Sequence, residues 1–276
     1  MEQISFWRTF VQRPRYAYLW TWVKSCFVVC SLSYVGFGGI LFFAQERFIY
    51  QPWPQDFVTC DALQVAEKVT YNGTRMYVRE GVKGFVVLYH GNAGSACDRA
   101  YYADIFVSHG YGYILPEYAG YSNDVRLPSH DLVRRDVENV TSFLRARSVS
   151  EVLVIGESIG TGAASYHTSL LPPDRLLLVS PFTDIESIAR ELFWYYPTSI
   201  LVVNAFDNVS LLREYSGSVT VIHGERDTII PQKLGIRLFE GLPTEQREFV
   251  SVSGAGHNDL FAVSTTHELL RRFLEN

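Results

Sequence analysis

With 276 residues, 47% of them hydrophobic and 14% aromatic, the chain is long enough for one large core and too short for two comfortable domains. The net charge of −5 is unevenly spread: residues 1–47 hold five Lys and Arg against two Asp and Glu, so the remainder is acidic, which argues against a nucleic-acid partner. Of the four cysteines, Cys26 and Cys30 lie in an apolar N-terminal stretch; Cys60 and Cys97 are expected as unpaired thiols, with pairing as the alternative in an oxidising compartment.

Residues 25–45 carry no charge, and about 20 apolar residues in a helix span the ~30 Å hydrocarbon core. The stretch is therefore expected to be a transmembrane anchor, with residues 1–24 as a cytoplasmic segment. A cleaved signal peptide and a buried core helix are the alternatives. The first would need a small residue where Phe42 stands if cleavage followed Ala44. Arg8, Arg13, Arg15 and Lys24 precede the span and Arg47 alone follows it closely, so the positive-inside rule puts the catalytic part on the non-cytoplasmic side. Trp20, Trp22, Phe48, Tyr50 and Trp53 flank the span at both ends, where amphipathic rings favour the headgroup layer.

Residues 46–68 read as a connector, since Pro52 and Pro54 cannot continue a helix, and a globular domain is expected over 69–276. Strands are expected at Val69–Arg79, Phe85–His90, Tyr111–Leu115, Val152–Gly156, Arg175–Val179, Val219–His223 and Glu248–Val252. Helical patterns fill 96–108, 131–147, 159–170, 231–240 and 259–274. This alternation implies a mostly parallel central sheet with helices on both faces, whose ligands bind beyond the carboxyl ends of the strands. Each chemistry-bearing motif follows one of those ends.

After the strand FVVLYH comes Gly91-Asn92-Ala93-Gly94-Ser95, a small-residue turn whose amides could face a reacting carbonyl. Asn92 is the first choice for that donor and Ala93 the alternative. His90 is expected to brace the loop. A phosphate-binding role would need the Lys-Ser/Thr of a P-loop, which does not follow here.

Gly156-Glu157-Ser158-Ile159-Gly160 follows the strand VLVI and opens a helix of small residues, the context of a nucleophile elbow. Ser158 is the expected nucleophile, and the N–H of Ile159 at the helix start is a second oxyanion donor. Asp227, after the strand VTVI, is expected to orient the base; Glu225 and Asp184 are its rivals. Of the seven histidines, His257 in Ser-Gly-Ala-Gly-His-Asn-Asp lies between the last strand and the last helix, and the order Ser, acid, His suits this arrangement. His109, His130, His167 and His267 fall in or beside helical patterns and are read as surface or packing residues.

LYHGNAG at 88–94, PEYAGYS at 116–122, GESIG at 156–160, SPFTDI at 180–185, IHGERD at 222–227 and GAGHND at 254–259 together resemble the membrane-anchored α/β-hydrolase-domain (abhydrolase) family. This family is related to lipases, lysophospholipases and acyl-protein thioesterases and is similar to serine aminopeptidases. The resemblance runs from about Phe42 to the C-terminus. It implies the α/β-hydrolase fold, preceded here by one N-terminal transmembrane helix, with Ser158, Asp227 and His257 as nucleophile, acid and base. Glu117, Ala119 and Ser122 depart from the family's usual Asp-Tyr-Arg-Gly-Tyr-Gly; the departures leave the triad intact, and this motif carries over no substrate preference.

The leading expectation is hydrolysis of carboxylic esters or thioesters of acyl or lipid-like substrates through an acyl-enzyme on Ser158, without metal or organic cofactor. The alternatives are peptide hydrolysis by the same residues and a non-catalytic anchored scaffold; the latter would be expected to lose a triad member. The region 184–215 is too short for a large lid. Its aromatic run, Phe193-Trp194-Tyr195-Tyr196, is expected to fill the core before it lines a pocket or touches a bilayer. Asn72, Asn139 and Asn208 begin N-glycosylation sequons.

Overall fold

The computed structural model describes residues 15–92, 94–203 and 205–275. Two compact units are formed, one ending at Phe43 and one running from Ala44 to the C-terminus. The helix α1 (Arg15–Ile49) is long and apolar enough to cross a membrane. It extends past the expected end of the span, so proline-bearing residues 51–54 follow it rather than interrupt it.

The second unit is an eight-stranded sheet. Its first strands are β1 (Glu67–Tyr71), β2 (Thr74–Arg79), β3 (Phe85–Tyr89), β4 (Gly112–Glu117) and β5 (Val152–Glu157). β6 (Arg175–Val179), β7 (Ser218–Gly224) and β8 (Arg247–Val252) complete it, in the order β1-β2-β4-β3-β5-β6-β7-β8. β1 and β2 run antiparallel to their neighbours, and the strands from β4 to β8 pair in parallel. The helices α2 (Ala100–Ser108), α3 (His130–Arg145), α4 (Gly160–Leu170) and α5 (Ile185–Leu192) follow β3, β4, β5 and β6. Two short helices, α6 (Thr198–Leu201) and α7 (Asn208–Leu212), precede β7, and α8 (Gln232–Glu240) and α9 (Ser264–Glu275) close the chain.

Both faces of the central strands are covered. Because side chains alternate along a strand, Val87, Tyr89 and Val154 enter one core cluster with Val137 and Val140 of α3, while Val86, Leu88 and Leu153 enter another with Phe106 of α2 and Leu270 of α9. The strands are accordingly continuous apolar runs, and their carboxyl ends are left as one edge from which loops emerge.

Four expectations are corrected. Val69–Arg79 is a hairpin and not one strand: Asn72 (φ 48°) and Gly73 (φ 86°) both take the left-handed conformation that a two-residue hairpin turn requires. Cys60 and Cys97 are joined by a disulfide, with Cα atoms 5.9 Å apart; the sequence could not show that residues 37 positions apart meet in the fold. The stretch expected as an irregular connector packs into the domain, with Tyr50, Phe57, Cys60 and Leu63 all buried. In the aromatic run only Tyr196 is buried, whereas Trp194 and Tyr195 are exposed. The sequons differ in access. Asn72 is exposed, Asn139 Nδ2 donates to Thr74 Oγ1, and Asn208 is buried with Nδ2 donating to Phe182 O.

Candidate active site

β5 and α4 meet at Ser158, whose φ of 54° is unusual for a residue with a side chain. The two flanking glycines make that turn possible. A Cβ at Gly160 would lie 2.2 Å from Tyr89 O, and one at Gly156 would lie 2.7 Å from Gly160 O. The Ser158 N–H donates to Val179 O at 2.9 Å, which ties the turn to β6. Ile159 stands at the N-cap of α4, where the first amides have no intrahelical acceptor.

The loop after β8 carries His257 over the turn. Its Nε2 lies 2.9 Å from Ser158 Oγ, and its Nδ1 lies 2.7 Å from Asp227 Oδ2. With Asp227 as carboxylate, Nδ1–H donates to it and Nε2 is left to accept from the serine hydroxyl. Asp227 comes from the loop after β7, and its other oxygen accepts from Ile229 N at 3.0 Å and Ile230 N at 2.8 Å. Burial raises the Asp227 pKa, but the hydrogen bonds from His223 and His257 outweigh it and hold the carboxyl below its ordinary value. The carboxylate is thus ionised beside the imidazole.

The rival acids are engaged elsewhere. Asp184 caps α5, accepting from Ser187 N and Ser187 Oγ, both at 2.7 Å. Glu225 accepts from Ser253 Oγ at 2.8 Å. His130 and His167 are buried, and burial lowers their pKa to about 4 and about 3.

The Gly91–Gly94 loop lies against the serine: a Cβ at Gly91 would be 3.3 Å from Ser158 Cβ and 3.1 Å from Glu157 Oε1. Asn92 is in this loop, and its side chain accepts from Tyr121 O–H at 2.8 Å. Ala93, the alternative donor, lies outside the described residues. His90, Glu117 and Arg99 support this loop and the turn; the brace from His90 was expected, while the partners of Glu117 and Arg99 were not legible in the sequence. His90 Nδ1–H donates to Gly91 O at 2.8 Å, while its Nε2 lies 3.2 Å from Glu117 Oε1 with both side chains fully buried. Glu117 Oε2 accepts from Ala96 N at 3.1 Å, so this departure from the family motif spans His90 and the far end of the loop. Arg99 binds Glu157, the residue before the serine, through Nε at 2.9 Å and Nη2 at 2.6 Å. Among the described residues no cluster of His, Cys, Asp and Glu is arranged to hold a metal ion.

A serine, an imidazole and a carboxylate in contact at the carboxyl edge of a mostly parallel sheet define the α/β-hydrolase class. No family model matches the chain. An uncharacterized protein of Mycobacterium tuberculosis is 28% identical over 267 residues, covering 90% of this chain and 94% of its own. The lysophosphatidylserine lipase ABHD12 of Xenopus tropicalis is 29% identical over 222 residues, which are 69% of this chain and 58% of the relative. The chain therefore spans a little more than half the length of that lipase. Among solved structures, an esterase from Exiguobacterium antarcticum superposes with a TM-score of 0.58 at 18% identity, over 76% of this chain and 100% of the esterase. The chain has the α/β-hydrolase fold, is similar in sequence to the abhydrolase-domain lipase above, and is a hydrolase.

Proposed function

We propose that this protein is a membrane-anchored serine hydrolase that cleaves carboxylic ester or thioester bonds of acyl or lipid-like substrates. The reading rests on one observation, the unbroken path from Ser158 Oγ through His257 to Asp227. In this mechanism His257 Nε2 takes the hydroxyl proton as Oγ bonds to the acyl carbon. The carbonyl electron pair moves onto its oxygen, and the backbone N–H groups of Asn92 and Ile159 face that oxyanion. The tetrahedral species collapses, the bond to the alcohol or thiol breaks, and His257 returns the proton to the leaving group. Water, deprotonated by His257, then releases the acid and restores Ser158. Asp227 holds the imidazole tautomer throughout and offsets the imidazolium charge.

Esters and thioesters are favoured over peptides because relatives named for lysophosphatidylserine lipase activity align with this chain, and because an anchor would keep the site near acyl substrates. The span over 25–45 is taken as that anchor, with the catalytic domain on the non-cytoplasmic side. The Cys60–Cys97 disulfide supports this side, since the cytosol keeps such thiols reduced.

The test is a fluorophosphonate probe combined with a p-nitrophenyl ester series. Labelling at Ser158, with kcat/KM rising from acetate toward medium chains and exceeding that for aminopeptidase p-nitroanilides, is the expected result. Labelling that persists in Ser158→Ala would overturn the nucleophile. A flat chain-length profile with efficient anilide cleavage would make the protein a peptidase. Resistance to carbonate extraction, with residues 50–276 protected from protease added on the cytoplasmic face, tests the topology.

A further inference from the structure

The acidic domain exposes a run of large apolar side chains from the last residue of α5 to just past the end of α6. Leu192, Trp194, Tyr195, Ile200 and Val203 all face solvent, Trp194 being 79% and Ile200 71% exposed. The segment is well held. Thr198 Oγ1 donates to Glu186 Oε1 at 2.6 Å, and Lys233 Nζ binds Glu191 at 2.6 Å, joining the end of α5 to the helix that follows the Asp227 loop. Downstream, Phe206 lies where a Cβ on Gly162 of α4 would be, 2.5 Å from its ring. The run therefore lies in a braced segment linked to the helix beyond Asp227, and its exposure is not that of a frayed end.

What covers it is indicated by Gln45, the last residue of the uncharged stretch. Its Nε2 donates to Leu201 O at 3.3 Å, and its Oε1 accepts from Val203 N at 3.0 Å. If residues 25–45 cross a bilayer, Gln45 stands where the hydrocarbon ends, and two residues of the apolar run are hydrogen-bonded to it. Trp and Tyr are the side chains that favour this depth, with an apolar body and a polar tip.

We propose that the segment from Leu192 to Val203 is a second membrane contact, seated in the headgroup layer beside the end of the anchor, from which acyl substrates reach Ser158. This rests on the anchored-hydrolase reading above. The exposed rings and the aliphatic side chains enter the lipid boundary, and a contact of this kind binds by buried apolar area. It holds the catalytic domain in one orientation.

The test uses the full chain in phosphatidylcholine–phosphatidylserine vesicles, with Cys26 and Cys30 replaced by Ser and an environment-sensitive fluorophore at Trp194→Cys, Ile200→Cys or Val82→Cys. Val82 is the reference site, 93% exposed in the turn before β3, where the strands begin. Doxyl-labelled lipid is expected to quench the fluorophore at 194 and 200 at least about threefold more than at 82, with a blue shift at the first two. Equal quenching at all three overturns the proposal, and so does a blue shift without lipid quenching, which would mean that another protein or a second copy covers the surface. Trp194→Ser/Ile200→Ser should lower hydrolysis of vesicle-borne lysophospholipid by about fivefold or more and leave p-nitrophenyl acetate within about twofold; equal effects on both substrates overturn the delivery route. If the wild-type protein hydrolyses neither, the proposed activity fails, while the quenching still decides the membrane contact.

Discussion

Asn92 holds Gln51 from the side: its Oδ1 accepts from the Gln51 N–H at 2.7 Å while its Nδ2 donates to Ile49 O at 2.7 Å. One amide thus reads the backbone on both sides of Tyr50, whose ring is buried in the core, and Tyr121 O–H completes the grip. The end of α1 and the loop proposed to stabilise the oxyanion are one construction. Asn92→Ala keeps the backbone N–H but removes the grip. It is expected to lower kcat on the order of 10- to 100-fold with KM changed little, since the loop would lose its position and not its donor. Steady-state kinetics on a soluble ester checks this, and an equal rise in KM with kcat intact would count against it.

Asp227 and Asp184 are expected to separate cleanly by variant. Asp227→Asn should reduce kcat by roughly 10⁴, because Nδ1 would lose the carboxylate that fixes its tautomer. Asp184→Ala should leave kcat near wild type and cost about 1 kcal/mol of stability through the lost helix cap. Turnover and urea denaturation of the two variants read the difference.

Asp136 gives a pH dependence of stability. It lies on the buried face of α3, accepting from Thr74 Oγ1 at 2.6 Å and Ala119 N at 2.7 Å, yet burial dominates and raises its pKa to about 6. The folded protein therefore binds this proton more tightly than the unfolded chain. The contribution is fully present below about pH 4 and is lost as pH rises through about 6, on the order of 3 kcal/mol in all. Asp136→Asn should flatten that part of the profile. Urea midpoints at pH 4, 5, 6 and 7 for both proteins provide the measurement, and parallel profiles would refute the assignment.

The Cys60–Cys97 bridge closes a loop of 37 residues between the former connector and the start of α2, beside the Gly91–Ser95 loop. Its removal by Cys60→Ser/Cys97→Ser is expected to cost about 3 to 4 kcal/mol and lower Tm. Peptide mapping without reduction should recover the pair as one linked species; two alkylated free thiols would contradict it.

Much of the site was legible in the sequence because local rules govern it. Glycines at 156 and 160 permit a tight strand-to-helix turn, and that requirement is written within five consecutive residues. The hairpin was also written locally, in Asn72-Gly73, but the flanking β-branched residues made one long strand look sufficient. The central strands showed as apolar runs because burial on both faces leaves no alternation to obscure them. Contacts made across long loops left no such trace. The meeting of Cys60 with Cys97, the grip of Asn92 on residues 49 and 51, and the pairing of His90 with Glu117 join residues that only the packed sheet brings together. The same limit explains the aromatic run at 193–196: composition says that these rings are apolar, while their burial depends on whether another element packs over them, and among the described residues Trp194 stays exposed. Short-range backbone sterics and periodic burial are properties of a chain segment and survive in its sequence; which side chains meet, and which apolar faces stay open, are properties of the assembled surface and belong to the tertiary structure alone.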